Sequence, residues 1–338
     1  MAATLRQVAE AASVSRATAS RVLTGNGAEL FAVETRRRIE EAARKLGYRP
    51  NHTARALATG RTGLMTMWSY PPYQAFFSLV LAEMQLQAQR RGYGLLVADI
   101  TARHDSESRY RSAVWPSDGI MAMDCGNFSE AVMDSLPSPK TPVVSMGTSR
   151  VPGTDFVGLD LSSAFKDAAR HLIAQGCKRI VYFTRAPYGE APVAATTFGA
   201  TRDAYCEVMK EHNRPAEIIE VNTATRDFAR QTLVDYIRAK GCPDGILCRN
   251  DDFSIGAYRG LCDLNLELGR DVLLIGCDGL EDTRFMPCPL STILLPIDRM
   301  CELAWQFIEQ RVNDPSLEPR TESLTAKLEV RESAVRRG

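Results

Sequence analysis

TLRQVAEAASVSRATASRVL, Thr4 to Leu23, holds two short helical patterns separated by the turn Ala12-Ser13-Val14. Thr4 with Gln7 three positions on forms a capping box, and Leu5, Val8, Ala9 and Ala12 lay an apolar stripe along the helix it opens. Ser15 is placed to cap a second helix, in which Thr18, Val22 and Leu23 face inward or flank the seam. Arg16, Ala17, Ser20 and Arg21 are left on the outer side. Two helices in this order read as a helix-turn-helix, whose second helix offers its outer side to a DNA major groove. An ordinary helical hairpin would give the same stripes, so the decision rests on what surrounds them.

After a polar loop, ETRRRIEEAARKL (Glu34 to Leu46) sets Ile39, Ala42, Ala43 and Leu46 at helical spacing, enough to close a three-helix bundle, and Gly47 ends it. Tyr48-Arg49-Pro50-Asn51 follows, then a basic segment from His52 to Arg61. The succession TLRQVAEAA, VSRATASRVL, ETRRRIEEAARKLGYRPN, ARALATGRTG closely resembles the lactose/galactose repressor family of bacterial transcription factors.

With 338 residues and 45% apolar content, more than one domain and sizeable cores are expected. The formal net charge is zero, but residues 1 to 61 hold eleven Arg or Lys against five Asp or Glu, leaving the remainder acidic. A basic head on an acidic body is a nucleic-acid signal, weak by itself. The nine cysteines show no C-x-x-C and no cluster with His at metal spacing, which points to reduced thiols, a cytoplasmic protein and no metal site. No run approaches a membrane span, and the N-terminus has no signal-peptide core.

Past Thr59-Gly60-Arg61-Thr62-Gly63 the pattern changes to strands alternating with helices. Apolar runs at Leu64 to Trp68, Leu95 to Ala98, Gly119 to Met123 and Val143 to Met146 are separated by helical patterns at Ala75 to Arg91, Asp105 to Val114 and Ser129 to Leu136. A second series has strands at Ile180 to Phe183, Ile218 to Val221, Gly245 to Cys248 and Val272 to Gly276. Its helices lie near Ser162 to Gln175, Thr201 to Glu211, Phe228 to Ala239 and Ser254 to Leu264. Two doubly wound parallel α/β units follow, with a ligand cleft beyond the carboxyl ends of their strands. The expected fold is therefore a small all-α head on an α/β core of two such subdomains.

The resemblance extends through the core, anchored on HLIAQGCKRI (His171 to Ile180), Pro243-Asp244-Gly245-Ile246 with Asn250-Asp251, Ile275-Gly276-Cys277-Asp278, Pro289-Leu290-Ser291-Thr292 and LEVRES (Leu328 to Ser333). It implies a periplasmic-binding-protein-like core that the chain crosses three times, near Asp160, Leu294 and Glu322. The domains are then a DNA-binding head over 1–50, a hinge helix and linker over 51–63, and an effector-binding and dimerisation core over 64–338. Within the core the first subdomain takes about 64–160 and 295–322, the second about 161–294 and 323–338. Because solute receptors share this core, the head decides function.

The resemblance further implies that Arg16, Ala17 and Arg21 point at base edges. An Arg can make a bidentate guanine contact giving about 1–3 kcal/mol of discrimination, whereas Ala17 offers a methyl group. Thr4, Thr18, Ser20, Asn26 and Tyr48 are read as phosphate contacts, which position without reading sequence. Asn51 to Ala58 is too short to be a stable helix alone. In the family, two such hinges from a dimer lie in the minor groove and wedge a leucine at the central step. Leu57 stands there, with Asn51, Arg55 and Ala58 beside it.

In the pocket, Thr197 stands where sugar-binding members carry an Arg, and Leu295 where a polar residue is usual. Asn250, Asp278 and Asp160 remain as effector contacts, or else as caps of strand ends. Ser69, Tyr73, Trp68 and Tyr70 supply a stacking wall or belong to the core. Arg249 refills the missing cation's place or closes the pocket. Two departures weaken the head: Ser13 at a turn position where Gly is usual, and Ala32 in place of a capping Ser.

The expected function is a ligand-responsive regulator, a repressor, that binds a palindromic double-stranded DNA operator as a homodimer and needs no cofactor. A chain that ends soon after Val330 leaves no room for a heptad repeat joining dimers. The alternative is a solute-binding module with a vestigial head. An enzyme is not expected: there is no G-x-G-x-x-G after the first strand, no P-loop and no G-x-S-x-G, and His52, His104, His171 and His212 have no evident catalytic partners.

Overall fold

Thr4 and Gln7 cap each other as their spacing requires. The Gln7 backbone N–H donates to the Thr4 hydroxyl at 3.4 Å, and the Thr4 N–H donates to the Gln7 side chain at 2.8 Å. This box opens α1 (Leu5–Ala11). The helix closes on Ser13 at φ +54°, with the Ser13 N–H donating to the Glu10 carbonyl and the Val14 N–H reaching back to that of Ala9. Ser15 then accepts the Thr18 N–H at 3.1 Å at the start of α2 (Arg16–Thr24). The third helix, α3 (Val33–Lys45), starts at Ala32 without a side-chain cap and closes in the same manner as α1, with Gly47 in the left-handed position. Val8, Ala9, Ala12, Ala19, Val22, Ile39, Ala42 and Ala43 make the core of the head, and their small size lets three short helices approach closely.

The two departures read from the sequence are thus physical ones. Ser13 sits where a Cβ is strained, and the first turn of α3 lacks its cap. Ser13→Gly and Ala32→Ser are each expected to stabilise the head by about 1 kcal/mol. The readout is slower amide exchange in α1 and α3 of the DNA-free protein, and unchanged exchange in both variants would contradict the assignment.

A computed structural model describes residues 3–24, 28–49, 56, 60–69, 74–99, 116–126, 133, 136, 141–186, 197–221 and 225–337. The chain divides into Met1–Gly63 and Leu64–Gly338. In the second unit, β1 (Leu64–Ser69), β2 (Gly94–Asp99), β3 (Gly119–Met123), β4 (Val143–Gly147), β5 (Asp155–Asp160) and β11 (Thr321–Thr325) form one sheet in the order β11-β5-β4-β3-β1-β2, every pair parallel. A second sheet comprises β6 (Ile180–Arg185), β7 (Glu217–Val221), β8 (Gly245–Cys248), β9 (Leu273–Asp278), β10 (Ser291–Leu294) and β12 (Lys327–Glu329). Its order is β12-β10-β9-β8-β6-β7, parallel except for the pair of β10 with β12.

Strands such as β3 and β8 are buried along their whole length, which is why they read as unbroken apolar runs rather than alternating ones. Helices α4 (Ala75–Arg91), α5 (Ser162–Ala174), α6 (Thr197–Glu211), α7 (Arg226–Lys240), α8 (Asp251–Asp263) and α9 (Ile297–Asn313) cover the sheets. α9 packs on the first sheet through Met300, Cys301, Ala304, Trp305 and Ile308 and meets α4, where Tyr93 and Trp305 lie 5.7 Å apart at their ring centroids. The sequence patterns expected over 105–114 and 129–136 lie outside the described residues or fall on isolated ones.

The chain passes between the sheets three times. The first passage follows β5 at Asp160 and the second follows β10 at Leu294. The third corrects the sequence reading: β11 stays paired with β5 through Thr325, so the passage falls at Ala326 and not near Glu322. TESLT is an exposed edge strand with no apolar run to mark where it ends. At the far end of that edge, Asp155 is wholly buried and takes a two-pronged ion pair from Arg311 of α9 (2.6 and 3.1 Å) together with the Arg320 N–H (2.8 Å).

Candidate nucleic-acid interface and effector cleft

On the head, Arg16, Ala17 and Arg21 are exposed on α2, while Ala19 and Val22 on its opposite side are buried. Two guanidinium groups and a methyl therefore share a solvent-facing surface held in place by core packing. Thr18 and Ser20 are half-buried at its margin, and the Thr18 hydroxyl lies 2.9 Å from that of Ser15. Thr4 is exposed, with its polar groups engaged in the capping box, and Tyr48 is half-buried against the head core. Asn26, Asn51, Arg55, Leu57 and Ala58 lie outside the described residues. Within that segment Ala56 is helical and accepts the Gly60 N–H at 2.8 Å, a single bond of helical type.

In the core, the carboxyl ends of both sheets' strands define the cleft. On the first sheet, Ser69 ends β1 and is buried, and Asp160 ends β5. The Asp160 carboxylate accepts the Ser162 N–H (3.0 Å) and the Ser163 hydroxyl (3.2 Å), so it caps the start of α5. Trp68 belongs to the core with Ala98, Ile120 and Ala122 and is no part of a stacking wall; Tyr70 and Tyr73 lie outside the described residues. Of Thr197 only the backbone is described, and it begins α6. Leu295 packs against the core.

On the second sheet, Arg249 and Asn250 follow β8 and Asp278 ends β9. Asn250 caps α8, its side-chain oxygen accepting the Phe253 N–H at 2.9 Å. The alternative read from sequence is a cap of the strand end; the observed cap is of the helix that follows, and it engages the carbonyl side of the amide. Asp278 has φ +127° and accepts the Asp251 backbone N–H. Burial raises its carboxyl well above the usual aspartate range, the nearby Asp251 charge adds to this, and Arg249 opposes it. The expected consequence is that Asp278→Asn stabilises the protein progressively, relative to wild type, as pH rises from about 4 toward neutrality. The raised acid is favoured while protonated, and that contribution is lost once it must ionise in the buried site. Urea unfolding at both pH values measures it; an equal difference at both would contradict it.

Two further carboxylates, which the sequence did not single out as effector contacts, lie near these strand ends. Asp124, directly after β3 at φ +53°, turns one carboxylate oxygen onto the Thr148 N–H and hydroxyl (2.6 Å each) and the Ser149 N–H (3.2 Å). Burial raises its carboxyl above the usual range against those donors and against the Arg249 charge. Arg249, on one sheet, thus bears electrostatically on Asp124 of the other. Asp251 is the second. Fully buried, it accepts the Leu280 N–H and the Thr292 hydroxyl (2.8 Å each), with the Gly279 N–H as a third donor. Gly276 leaves it room, since a Cβ there would overlap Asp251 Oδ1.

The model of bacterial regulatory proteins of the lacI family matches residues 4–51, the three helices of the head and the start of the hinge segment. A periplasmic binding protein-like domain matches residues 169–334, and the two together span more than half of the chain. The chain belongs to the lacI family. Among related sequences, the HTH-type transcriptional repressor PurR of Photorhabdus laumondii is 26% identical over 348 residues, covering 98% of this chain and 97% of that protein. Among solved lacI-family folds, the lac repressor dimer bound to operator and the anti-inducer ONPF superposes with a TM-score of 0.80 at 20% identity, over 99% of this chain and all of that one. A lacI-family regulator from Enterococcus faecium with bound ribose gives 0.69 at 17% identity, over 81% of this chain and 100% of that one.

Proposed function

We propose that this chain is a DNA-binding transcriptional repressor that holds a palindromic operator as a homodimer, its affinity set by a small molecule in the cleft of the core. The observation that supports this most directly is the exposed face of α2, with Arg16, Ala17 and Arg21 on a packed three-helix head of the lacI family. One head covers too few base pairs for specificity, so two-fold pairing supplies the rest. A relative named as a repressor over almost the whole chain favours repression over activation. Nine free cysteines suit the cytoplasm, and among the described residues no helix is long and apolar enough to cross a membrane. The cleft groups are read as binding rather than catalytic ones.

Arg16 reads a guanine in each half-site, Arg21 supports it, and Ala17 contacts a thymine methyl. Thr4, Thr18, Ser20, Asn26 and Tyr48 hold phosphates. Leu57 wedges the central step, flanked by Asn51, Arg55 and Ala58. Arg16→Ala is then expected to relax preference at one half-site position by about 1–3 kcal/mol, whereas Leu57→Ala weakens operator binding and leaves non-specific binding nearly intact. Equal loss on all sequences for both variants would contradict these roles.

Selection of bound duplexes from a random pool by the purified protein, followed by affinities at several salt concentrations, tests the whole reading. An inverted repeat with a constant central step is the expected product. A pool without a motif, bound weakly and only at low salt, would replace this reading with that of a solute-binding module.

A further inference from the structure

The face of the first sheet that α4 and α9 cover is built largely of methionine. Met65 and Met67 of β1, Met121 and Met123 of β3 and Met146 of β4 lie in one core with Met84 of α4 and Met300 of α9, and none of the seven is more than 1% exposed. Strand register sets Met67 beside Met121 and Met123 beside Met146, while Trp68, Ile120 and Ala122 belong to the core on the opposite face. None of the strands described for the second sheet carries a methionine. Its positions in the same core hold Ile180, Tyr182, Leu247, Ile275 and Ile293, with Tyr182 stacked on Tyr205 and edge-on to Phe165 (ring centroids 5.4 and 5.9 Å apart). Methionine is unbranched and refills a shifted gap at little cost, whereas β-branched and aromatic side chains hold one shape.

Both helices run from the carboxyl edge of the first sheet to its amino edge, since α4 joins the parallel strands β1 and β2, and α9 leads from the passage at Leu294 into β11. Their firm ties lie at the amino edge. Arg91, the last residue of α4, pairs with Glu309 of α9 at 3.1 Å, and Arg311 pairs with the buried Asp155 at the start of β5. Gly119, at the start of β3, brings α9 close, since a Cβ there would lie 2.8 Å from Ile308 Cδ1. Toward the carboxyl edge, which borders the cleft, the layer between helices and sheet holds Met67, Met121, Met123 and Met146. The two helices approach each other there through the Cys301 thiol, 4.0 Å from the Val80 carbonyl.

We propose that this methionine layer is a slip plane, on which the cleft-side halves of α4 and α9 swing about their tied ends while the second subdomain keeps its shape. Sliding of packed helices needs side chains that repack in small steps, and a layer of unbranched ones supplies them. A swing begun at the cleft is delivered to the tied ends, at the edge where the chain enters β1 from the hinge segment at Leu64. Cleft and hinge are thereby linked through the first subdomain. That link rests on the repressor reading above; the slip plane itself does not.

Carbon-13 labelling of the methionine methyls of the full-length protein, read by relaxation dispersion, tests the slip plane, with the buried Met209 of the second subdomain as internal reference. Exchange on the μs–ms scale is expected at Met67, Met121, Met123 and Met146 and not at Met209. Exchange of equal size at Met209, or none at the four, would overturn the proposal. Met67→Leu, Met121→Leu, Met123→Leu and Met146→Leu together keep volume but add a branch. They are expected to slow amide exchange over residues 75–81 and 297–301 about tenfold and to leave α7 and α8 unchanged. A thermal melt shows whether this variant is folded; if it is not, Met121→Leu alone is read in the same way. A folded variant with wild-type exchange in both helices contradicts the slip plane. Operator duplex recovered by selection touches the head, yet is expected to shift the methyl signals of the four core methionines. Bound operator with unmoved signals overturns the link to the hinge. Failure to recover an operator removes the repressor reading, and dispersion on the free protein still decides the slip plane.

Discussion

Replacing Asp155 with alanine is expected to destabilise the core by about 3–5 kcal/mol, the usual result of removing one partner of a buried ion pair. Asp155 has no exposed surface and the Arg311 side chain keeps 13% of its own, so the guanidinium left behind could not recover its hydration. The pair also ties α9 to the start of β5, and the Arg320 N–H on the same carboxylate brings in the approach to β11. Burial pushes the Asp155 carboxyl up, but the Arg311 hydrogen bond, the Arg320 N–H and both positive charges together bring it below the ordinary aspartate value. A depressed acid contributes stability above its unfolded pKa of about 4, and that contribution is lost as pH falls through the folded value. The gap between wild type and variant is therefore expected to be full at neutral pH and to narrow in acid. Urea unfolding with an unchanged m-value measures it. A loss of less than about 1 kcal/mol at neutral pH would show that the edge rearranges around the missing carboxylate.

Asp251→Ala is expected to cost at least about 3 kcal/mol, because the Leu280 and Gly279 N–H groups and the Thr292 hydroxyl lose one shared acceptor in a site without solvent. Its consequence reaches the carboxyl end of β9, since the Asp251 N–H is a donor to Asp278, a proposed effector contact. A protein that still folds should respond to effector more weakly than wild type. Asp251→Asn separates the two effects: it keeps an oxygen for part of the cradle and removes the charge that faces Asp278. Wild-type stability in the alanine variant, measured by urea unfolding, would mean that the three donors find other partners.

The head was legible because its signals are local. A capping box, a stripe of small apolar residues and a closing glycine all act within one or two turns, and the same holds for the strain at Ser13 and the bare start at Ala32. The buried strands of the core were legible for a different reason: strands covered on both faces become unbroken apolar runs. What did not show was the perimeter. β11 is exposed and polar, β12 is three residues long, and neither leaves a hydrophobic trace, so the third passage was placed too early. The long helix α9 carries a readable stripe through Met300, Cys301, Ala304 and Ile308, but only its packing on the first sheet assigns it there. The roles of Asp124 and Asp251 could not be read from sequence, since one works through a left-handed turn onto a loop some twenty residues away and the other, quoted only beside Asn250, through backbone amides of a different strand's end.

The passage at Ala326 has a mechanical meaning. Ala326 is buried, and its N–H donates to the Asp160 carbonyl at 3.2 Å, so two of the three threads joining the subdomains are stitched to each other at the point where both cross. Threads that are pinned side by side bend together about one line and resist sliding past one another. The third thread, at Leu294, runs straight into the first turn of α9 through Pro296, where the ring fixes one backbone angle. Relative motion of the two subdomains is therefore expected to follow one bending line rather than to spread over twist and shear.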